Sequence, residues 1–161
     1  MIVLNTTNTS LEAVLGEAIT TNQLQYTVHY EIVARNGEST VSQSHGTTNS
    51  TTDVTLLAAP SVAGERRVIR GISIYNADTV SATVTVHYDD AGTERIITKA
   101  TLTSGSSLHY ESGTGWSVGV DSSGGLTSGT AIATTSGTAH DFTVVSGTRR
   151  VTINFAGVSL S

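Results

Sequence analysis

The stretch Ser81-Ala82-Thr83-Val84-Thr85-Val86-His87-Tyr88 decides the fold class of this chain. Small or polar residues alternate with apolar ones at the two-residue period of a half-buried β-strand. Asp89-Asp90-Ala91-Gly92 follows with the residue types of a tight turn, and Thr93 to Lys99 runs back as a partner strand. Leu102 to Ser106 turns the chain again. The pattern predicts antiparallel hairpins and an all-β protein.

Similar strand patterns cover much of the chain on both sides of this stretch. They predict strands over residues 25–34, 53–59 and 67–75, and a short edge strand or arm over residues 1–4. We expect an antiparallel β-sandwich of jelly-roll-like type, with an extended C-terminal β segment or arm. The predicted parts are the sandwich over 1–121, a Ser/Gly linker over 122–129 and the C-terminal part over 130–161.

Two stretches are less clear from the sequence. Thr9-Ser10-Leu11-Glu12 fits a helix capping box, yet the apolar residues that follow fit a strand as well as a helix. The β-rich surroundings favour the strand. Residues 36–52 are rich in Ser, Thr and Asn, which predicts a long polar loop that is able to contact a neighbouring molecule.

Large apolar side chains are scarce in this chain. Apolar residues make up 37% of its 161 residues and aromatic residues only 5%, while Ser and Thr together contribute about 30%. Burial of apolar area, at roughly 25 cal/mol per Å², has to offset the conformational entropy that folding removes. Because the apolar area of a single chain barely offsets this entropy, we expect additional apolar area to be buried between copies of the chain in a homo-oligomer.

Charge and cysteine content exclude several classes of protein. The net charge is −5 and Lys99 is the single lysine, so the chain lacks the basic face of a general nucleic-acid binder. The absence of cysteine excludes disulfides and thiolate metal sites. The N-terminus lacks a secretory signal pattern, and no apolar run reaches the roughly 20 residues of a membrane span. We therefore expect no nucleic-acid or membrane partner and no cofactor.

One motif resembles a catalytic site. Gly115-Trp116-Ser117-Val118-Gly119 matches the G-x-S-x-G nucleophile elbow, and Asp121 and His140 follow in the order of a hydrolase triad. An elbow exposes its serine where a strand turns sharply into a helix. The residues around Ser117 continue a strand pattern, and a Ser/Gly-rich stretch follows them. We therefore expect no catalytic residue and no enzymatic activity.

Residue types that bind metal ions are also present. Asp89-Asp90 and Glu94 could hold a hard cation, but Asp before Gly is ordinary hairpin chemistry and favours a turn. Alternation places His29, His87 and His109 on faces opposite the apolar side of their strands, which favours exposed or interface positions. A metal ion bound by one histidine from each chain of a trimer is the lesser alternative. We predict no metal site.

Arginines and aromatic residues are the remaining candidates. Arg66, Arg67 and Arg70 form one basic cluster and Arg149-Arg150 another, and arginine suits ion pairs at protein interfaces. Aromatic rings can stack on sugars, but core filling and interface anchoring explain them more simply. The candidate interface residues are Tyr26, Tyr30, Arg66, Arg67, Arg70, Trp116, Phe142, Arg149, Arg150 and Phe155.

Several stretches near the start, centre and end of the chain are similar in sequence to known groups of proteins. They are Met1-Ile2-Val3-Leu4-Asn5-Thr6-Thr7, Leu11-Glu12-Ala13-Val14-Leu15-Gly16, Thr21-Asn22-Gln23-Leu24, Ile74-Tyr75-Asn76-Ala77-Asp78-Thr79, Val84-Thr85-Val86 and Gly115-Trp116-Ser117-Val118. Together they resemble small structural proteins of tailed bacteriophages over roughly residues 1 to 120. Residues from Ala133 to Ser159 resemble the opening of a module of phage fibre and tail-associated proteins.

The resemblance implies a non-enzymatic virion component, a homotrimer that docks on another virion protein and is assembled in the host bacterial cytoplasm. It implies a fibre, tail-associated or neck structure, with a capsid decoration (minor capsid) protein as the alternative. A receptor-binding module that recognises host surface glycan through aromatic residues and residues 36–52 is a further alternative. The expected mechanism of assembly is strand and arm exchange, with apolar faces around Tyr26, Tyr30, Trp116 and Phe155 buried between chains.

Overall fold

A computed structural model describes residues 1–120, 139–146 and 149–156. The regular elements of these residues are all strands, and none of these residues belongs to a helix long and apolar enough to cross a bilayer. The strands are β1 (Ile2–Leu4), β2 (Thr9–Leu15), β3 (Gln25–Val33), β4 (Ser39–Thr47), β5 (Val54–Leu57), β6 (Arg66–Tyr75), β7 (Ala82–Asp90), β8 (Thr93–Leu102), β9 (Ser106–Glu111), β10 (Gly115–Val120), β11 (Ala139–Ser146) and β12 (Arg149–Ala156).

The first ten strands form two antiparallel sheets that pack against each other. The first sheet has the order β10-β9-β6-β3-β4, with β1 also paired to β6, and the second has the order β5-β2-β7-β8. Strands β1 and β9 share one side of β6, because β1 pairs with its first half and β9 with its second half. The predicted all-β antiparallel sandwich is confirmed.

The chain separates into two compact units, Met1–Asp121 and Ser122–Ser161. In the second unit, β11 and β12 form an antiparallel hairpin in which Ala139 pairs with Ala156 and Ser146 with Arg149. The predicted linker over 122–129 and residues 130–138 of the predicted C-terminal part lie outside the described residues.

Four strand pairs, β2–β3, β4–β5, β6–β7 and β8–β9, each run from one sheet into the other. Each sheet contains one strand of every pair, and the four pairs lie side by side in the same order in both sheets. Backbone hydrogen bonds also join neighbouring bends. Thr48 donates its N–H to Leu24 O at 2.8 Å, and Gly105 donates its N–H to Asn76 O at 3.0 Å.

One hydrophobic core lies between the sheets. Alternate residues of β2, from Leu11 to Leu15, and of β7, from Ala82 to Val86, lie in it, which matches the period of a pleated strand. Leu11, Ala13 and Leu15 of β2 are buried against Val84 and Val86 of β7 and against side chains of the first sheet. Residues 9–15 are therefore a strand, and the helix alternative is wrong.

The prediction of a long loop over residues 36–52 is wrong. Nine of these residues form β4, which pairs with β3 along its whole length, from Ser39 opposite Val33 to Thr47 opposite Gln25. One face of this edge strand is exposed, and the other carries only the small, half-buried residues Ser42, Ser44 and Gly46, so its composition resembles that of a loop. Backbone pairing, together with the β-branched Thr and Val residues that suit a pleated surface, makes it a strand.

The turn predicted at Asp89-Asp90-Ala91-Gly92 is confirmed. Asp90 pairs with Thr93, so Ala91 and Gly92 form a two-residue loop, and both have positive φ angles of 53° and 86°. Such a loop matches the right-handed twist of the flanking strands. The Asp89 carboxylate accepts the N–H of Gly92 at 2.7 Å, which is a turn role for this residue.

Gly46 leaves room for a tyrosine that connects the two sheets. A Cβ atom at Gly46 would lie 2.7 Å from the hydroxyl oxygen of Tyr26, its partner across β3 and β4. That hydroxyl donates a hydrogen bond to Thr55 O at 3.2 Å. We expect Gly46→Ala to displace the ring and lower the free energy of unfolding by about 2 kcal/mol. Urea denaturation followed by circular dichroism measures the loss.

Gly71→Ala is the matched control in the same sheet. A Cβ atom at Gly71 would meet the carbonyl oxygen of Tyr110 at an ordinary 3.6 Å. The expected change is below about 0.5 kcal/mol. Equal losses in the two variants would show that Tyr26 is not the cause.

Candidate functional site

The outer side of β4 is an open sheet edge to which another chain could bind. In the described part of the chain, no strand pairs with this side of β4, although the strand is nine residues long. It carries no Lys, Arg, Asp, Glu or Pro. Its third residue, Val41, is 81% exposed. A long, exposed and uncharged strand edge is a template for pairing with another strand.

The other sheet edges differ from β4. Strand β5 is only four residues long, and β8 carries the charged residues Glu94, Arg95 and Lys99. Short length and charge both protect an edge from unwanted pairing. Strand β10 is uncharged but has six residues, two of which are Gly115 and Gly119. The longest uncharged edge among the described strands is therefore β4.

An open depression of about 330 Å³ adjoins β4. Arg70 borders it and forms an ion pair with Glu31 of β3. Hydrogen bonds from Arg70 and Ser39 hold the pKa of the Glu31 carboxyl below its usual value. The depression is lined by His29, Tyr30, Val41, Ser42, Gln43 and Arg70.

Two of the three arginines in the predicted cluster have partners within the chain. Arg67 lies 3.3 Å from the Glu65 carboxylate, donates to Ala58 O at 3.0 Å and stacks 5.8 Å from the centre of the Tyr30 ring. Arg70 pairs with Glu31, as described above. Arg66 is exposed. The structure thus gives Arg67 and Arg70 partners of their own, and an interface role for all three stays a prediction.

The aromatic candidates divide into two groups. Tyr26 and Tyr30 are only 8% and 9% exposed because they belong to the core of the chain itself, so an interface around these two rings is not supported. Trp116 is partly buried against the same core, and its ring centre lies 5.0 Å from that of Tyr110. These positions favour core packing over a platform for sugars.

The C-terminal candidates lie on the β11–β12 hairpin. Phe142 pairs with Ile153 and Phe155 with His140, while Arg149 and Arg150 pair with Ser146 and Val145. Their interface role stays a prediction.

The nucleophile-elbow motif lies within a regular strand. Residues from Gly115 to Val120 pair with β9 without interruption, and Ser117 is opposite His109. No strand-to-helix turn exposes Ser117, which an elbow requires.

The position of His87 contradicts the prediction of an exposed or interface position. The side chains of His29, His45 and His109 are exposed, but that of His87 is only 1% exposed. Neither of its ring nitrogens has a hydrogen-bond partner. A buried polar group without a partner is unfavourable and requires an explanation.

Two carboxylates lie beside this histidine. Glu12 is directly opposite His87 in the β2–β7 pair, and Asp53 immediately precedes β5. One donor atom from each of the three residues lies within 4.8 Å of the others. His87 Nε2 and Asp53 Oδ1 are 3.3 Å apart, within reach of an ion pair but without hydrogen-bond geometry. We call these three residues the carboxylate–histidine cluster.

Nothing in the sequence pattern singles out this cluster. Its members are far apart in the chain, and none belongs to a known ligand spacing. Only the register of β2 against β5 and β7 brings them together. Asn76 and Asp78, which hold the bends between the sheets, are further buried polar residues that the sequence reading did not identify.

Comparison of this chain with protein-family models, curated proteins and solved structures finds no match.

Proposed function

We propose that this protein is a non-enzymatic virion structural protein, which self-assembles and docks on another virion protein as part of a fibre, tail-associated or neck structure. The observation that carries the assembly role is the uncharged, unprotected edge of β4. The virion setting comes from the resemblance of its sequence to small structural proteins of tailed bacteriophages.

Strand addition at β4 explains both the composition and the exposure of this edge. A strand from another chain would pair with the free backbone N–H and C=O groups of β4 and extend the first sheet. The Ser and Thr side chains keep the edge hydrated before assembly, and Val41 offers apolar area for burial. Nothing charged has to be desolvated, which is the usual obstacle to edge pairing.

Charge placed on this edge is expected to prevent assembly. Val41→Lys puts a lysine at a position that is 81% exposed in the single chain, so the fold is retained. In an assembled sheet this lysine lies against a neighbouring strand and opposes pairing. We expect the full-length protein to be oligomeric and Val41→Lys to raise its dissociation constant by at least about tenfold, or 1.4 kcal/mol. Light scattering over a concentration series measures both.

Ile96→Lys is the matched control. Ile96 is 68% exposed on β8, an edge that already carries charges. Its oligomeric state is expected to match that of the unmodified protein. Association that is unchanged by Val41→Lys would exclude the β4 edge, and a monomer at every concentration would overturn self-assembly.

The virion setting needs a separate test. Mass spectrometry of purified particles, produced from the genome that encodes this chain, should detect it as a particle component. Its absence from the particles would overturn the virion proposal. Crosslinking within the particles identifies the docking partner, and a crosslink to the major capsid protein would favour the alternative of a capsid decoration protein.

A further inference from the structure

We propose that Glu12, Asp53 and His87 form a binding site for a divalent metal ion, with Zn²⁺ as the preferred ion. The carboxylate–histidine cluster presents one imidazole nitrogen and two carboxylates at one place on the second sheet. Imidazole suits zinc and other transition metals, whereas a purely oxygen site suits calcium or magnesium. Zn²⁺ is commonly bound by His and by Asp or Glu together.

The state of His87 is the observation that points to a ligand. Its side chain is 1% exposed, and both ring nitrogens are buried without hydrogen-bond partners. A protonated histidine that served only as an ion-pair partner would donate N–H bonds from both nitrogens. A bound metal ion would give one of these nitrogens a partner, because a neutral imidazole nitrogen donates its lone pair to the metal.

The distances within the cluster fit a shared ion. Ligand atoms about 2.0–2.1 Å from a tetrahedral zinc ion are roughly 3.4 Å from one another. His87 Nε2 and Asp53 Oδ1 are 3.3 Å apart, which is poor for a hydrogen bond of this geometry but right for two ligands of one ion. The largest separation in the cluster, up to 4.8 Å, requires a side chain to rotate inward. Asp53 is 41% exposed and free to do so.

Neighbouring residues support the carboxylate of Glu12. Its Oε1 atom accepts hydrogen bonds from the Ser10 hydroxyl at 2.8 Å and from the Thr55 hydroxyl at 3.3 Å. Such bonds orient a carboxylate ligand, and metal sites typically contain them. Thr55 lies on β5 and Ser10 on β2, so the support comes from two strands.

A bound ion would link three strands of the second sheet. Glu12 lies on β2, His87 on β7, and Asp53 immediately before the short edge strand β5. Since the site requires the folded arrangement, the metal binds the native state and stabilises it by mass action. Three protein ligands leave a fourth tetrahedral position for water or for a group from another molecule.

The test uses the full-length chain after treatment with EDTA. Zinc, manganese and calcium chloride are titrated by calorimetry, and melting temperatures are measured with and without each ion. We expect one Zn²⁺ per chain, weaker binding of Mn²⁺ and the weakest binding of Ca²⁺. Asp53→Asn removes a ligand at a half-exposed position and should weaken Zn²⁺ binding by at least about tenfold. His87→Gln should do the same.

Two control variants distinguish binding at this site from nonspecific zinc binding elsewhere on the surface. Asp89→Asn removes a half-buried turn carboxylate, and His109→Gln removes an exposed histidine of β9. Both should bind Zn²⁺ as the unmodified chain does. If His87→Gln fails to fold, Asp53→Asn and the visible absorption of bound Co²⁺ decide the question. Absent Zn²⁺ binding, or equal binding by Asp53→Asn and the unmodified chain, would overturn the proposal.

Discussion

Asn76→Ala is expected to lower the free energy of unfolding by about 3 kcal/mol. Asn76 is fully buried at the bend between β6 and β7. Its Nδ2 group donates hydrogen bonds to Val80 O and Leu102 O, both at 2.9 Å, and its Oδ1 accepts the N–H of Asp78 at 3.0 Å. Alanine leaves these backbone groups without a partner, and each such loss in a buried place costs roughly 1–3 kcal/mol.

The measurement is urea denaturation, followed by the fluorescence of Trp116 and by circular dichroism. The expected loss corresponds to a melting temperature lower by roughly 10–15 °C for a folded unit of this size. A loss below about 1 kcal/mol would show that water replaces the side chain at this bend.

Asn36→Ala is a matched control, because Asn36 makes the same local contact at the surface. Its Oδ1 accepts the N–H of Glu38, two residues further on, at 3.2 Å. Since this turn is exposed, water can satisfy the groups that the substitution releases. We expect a change within about 0.5 kcal/mol. The difference between the two variants isolates the effect of burial.

Asp78→Asn is expected to give the second large loss of stability, about 10 °C in melting temperature at pH 7. Asp78 is 1% exposed. Its Oδ1 accepts the backbone N–H groups of Thr21, Asn22 and Thr79 at 2.9, 3.2 and 2.9 Å, and its Oδ2 accepts that of Thr20 at 3.0 Å. In asparagine an NH2 group replaces one carboxylate oxygen, so a donor faces a backbone N–H donor. The substitution also removes the negative charge.

The loss should depend on pH in a defined direction. Burial raises the pKa of Asp78, but hydrogen bonds from four backbone N–H groups lower it by more. The pKa of this carboxyl therefore lies below its ordinary value of 3.8. The four donors are Thr20, Thr79, Asn22 and Thr21. A carboxyl with a depressed pKa stabilises the fold fully above its unfolded pKa and loses this effect as pH falls through its folded pKa. The difference between the unmodified chain and Asp78→Asn should therefore shrink below about pH 4.

Asp89→Asn is the control for this experiment. Asp89 is a turn carboxylate that accepts one N–H group, that of Gly92, instead of four. Its substitution should change the melting temperature by only a few degrees at most, with little dependence on pH. A gap between Asp78→Asn and the unmodified chain that stays constant down to pH 2 would contradict the role given to the Asp78 charge.

The strand content and the fold class could be predicted from local patterns. Alternation over residues 81–88 and 9–15 identifies half-buried strands, and the turn residues from Asp89 to Gly92 identify a hairpin, because both depend on neighbours in the chain. Strand β4 was harder to predict. Its polar residues carry no apolar period, so only its pairing with β3 distinguishes it from a loop.

The sequence by itself determined that this protein is built from strands, that it lacks thiol chemistry and that its charge is low. Those properties follow from residue types and from a period of two. The tertiary structure alone decided which polar residues are buried together. Glu12, Asp53 and His87 meet because three strands align in one register, and Asp78 captures the bend at residues 20–22 because two bends lie side by side. Such contacts join distant parts of the chain, and no local pattern encodes them.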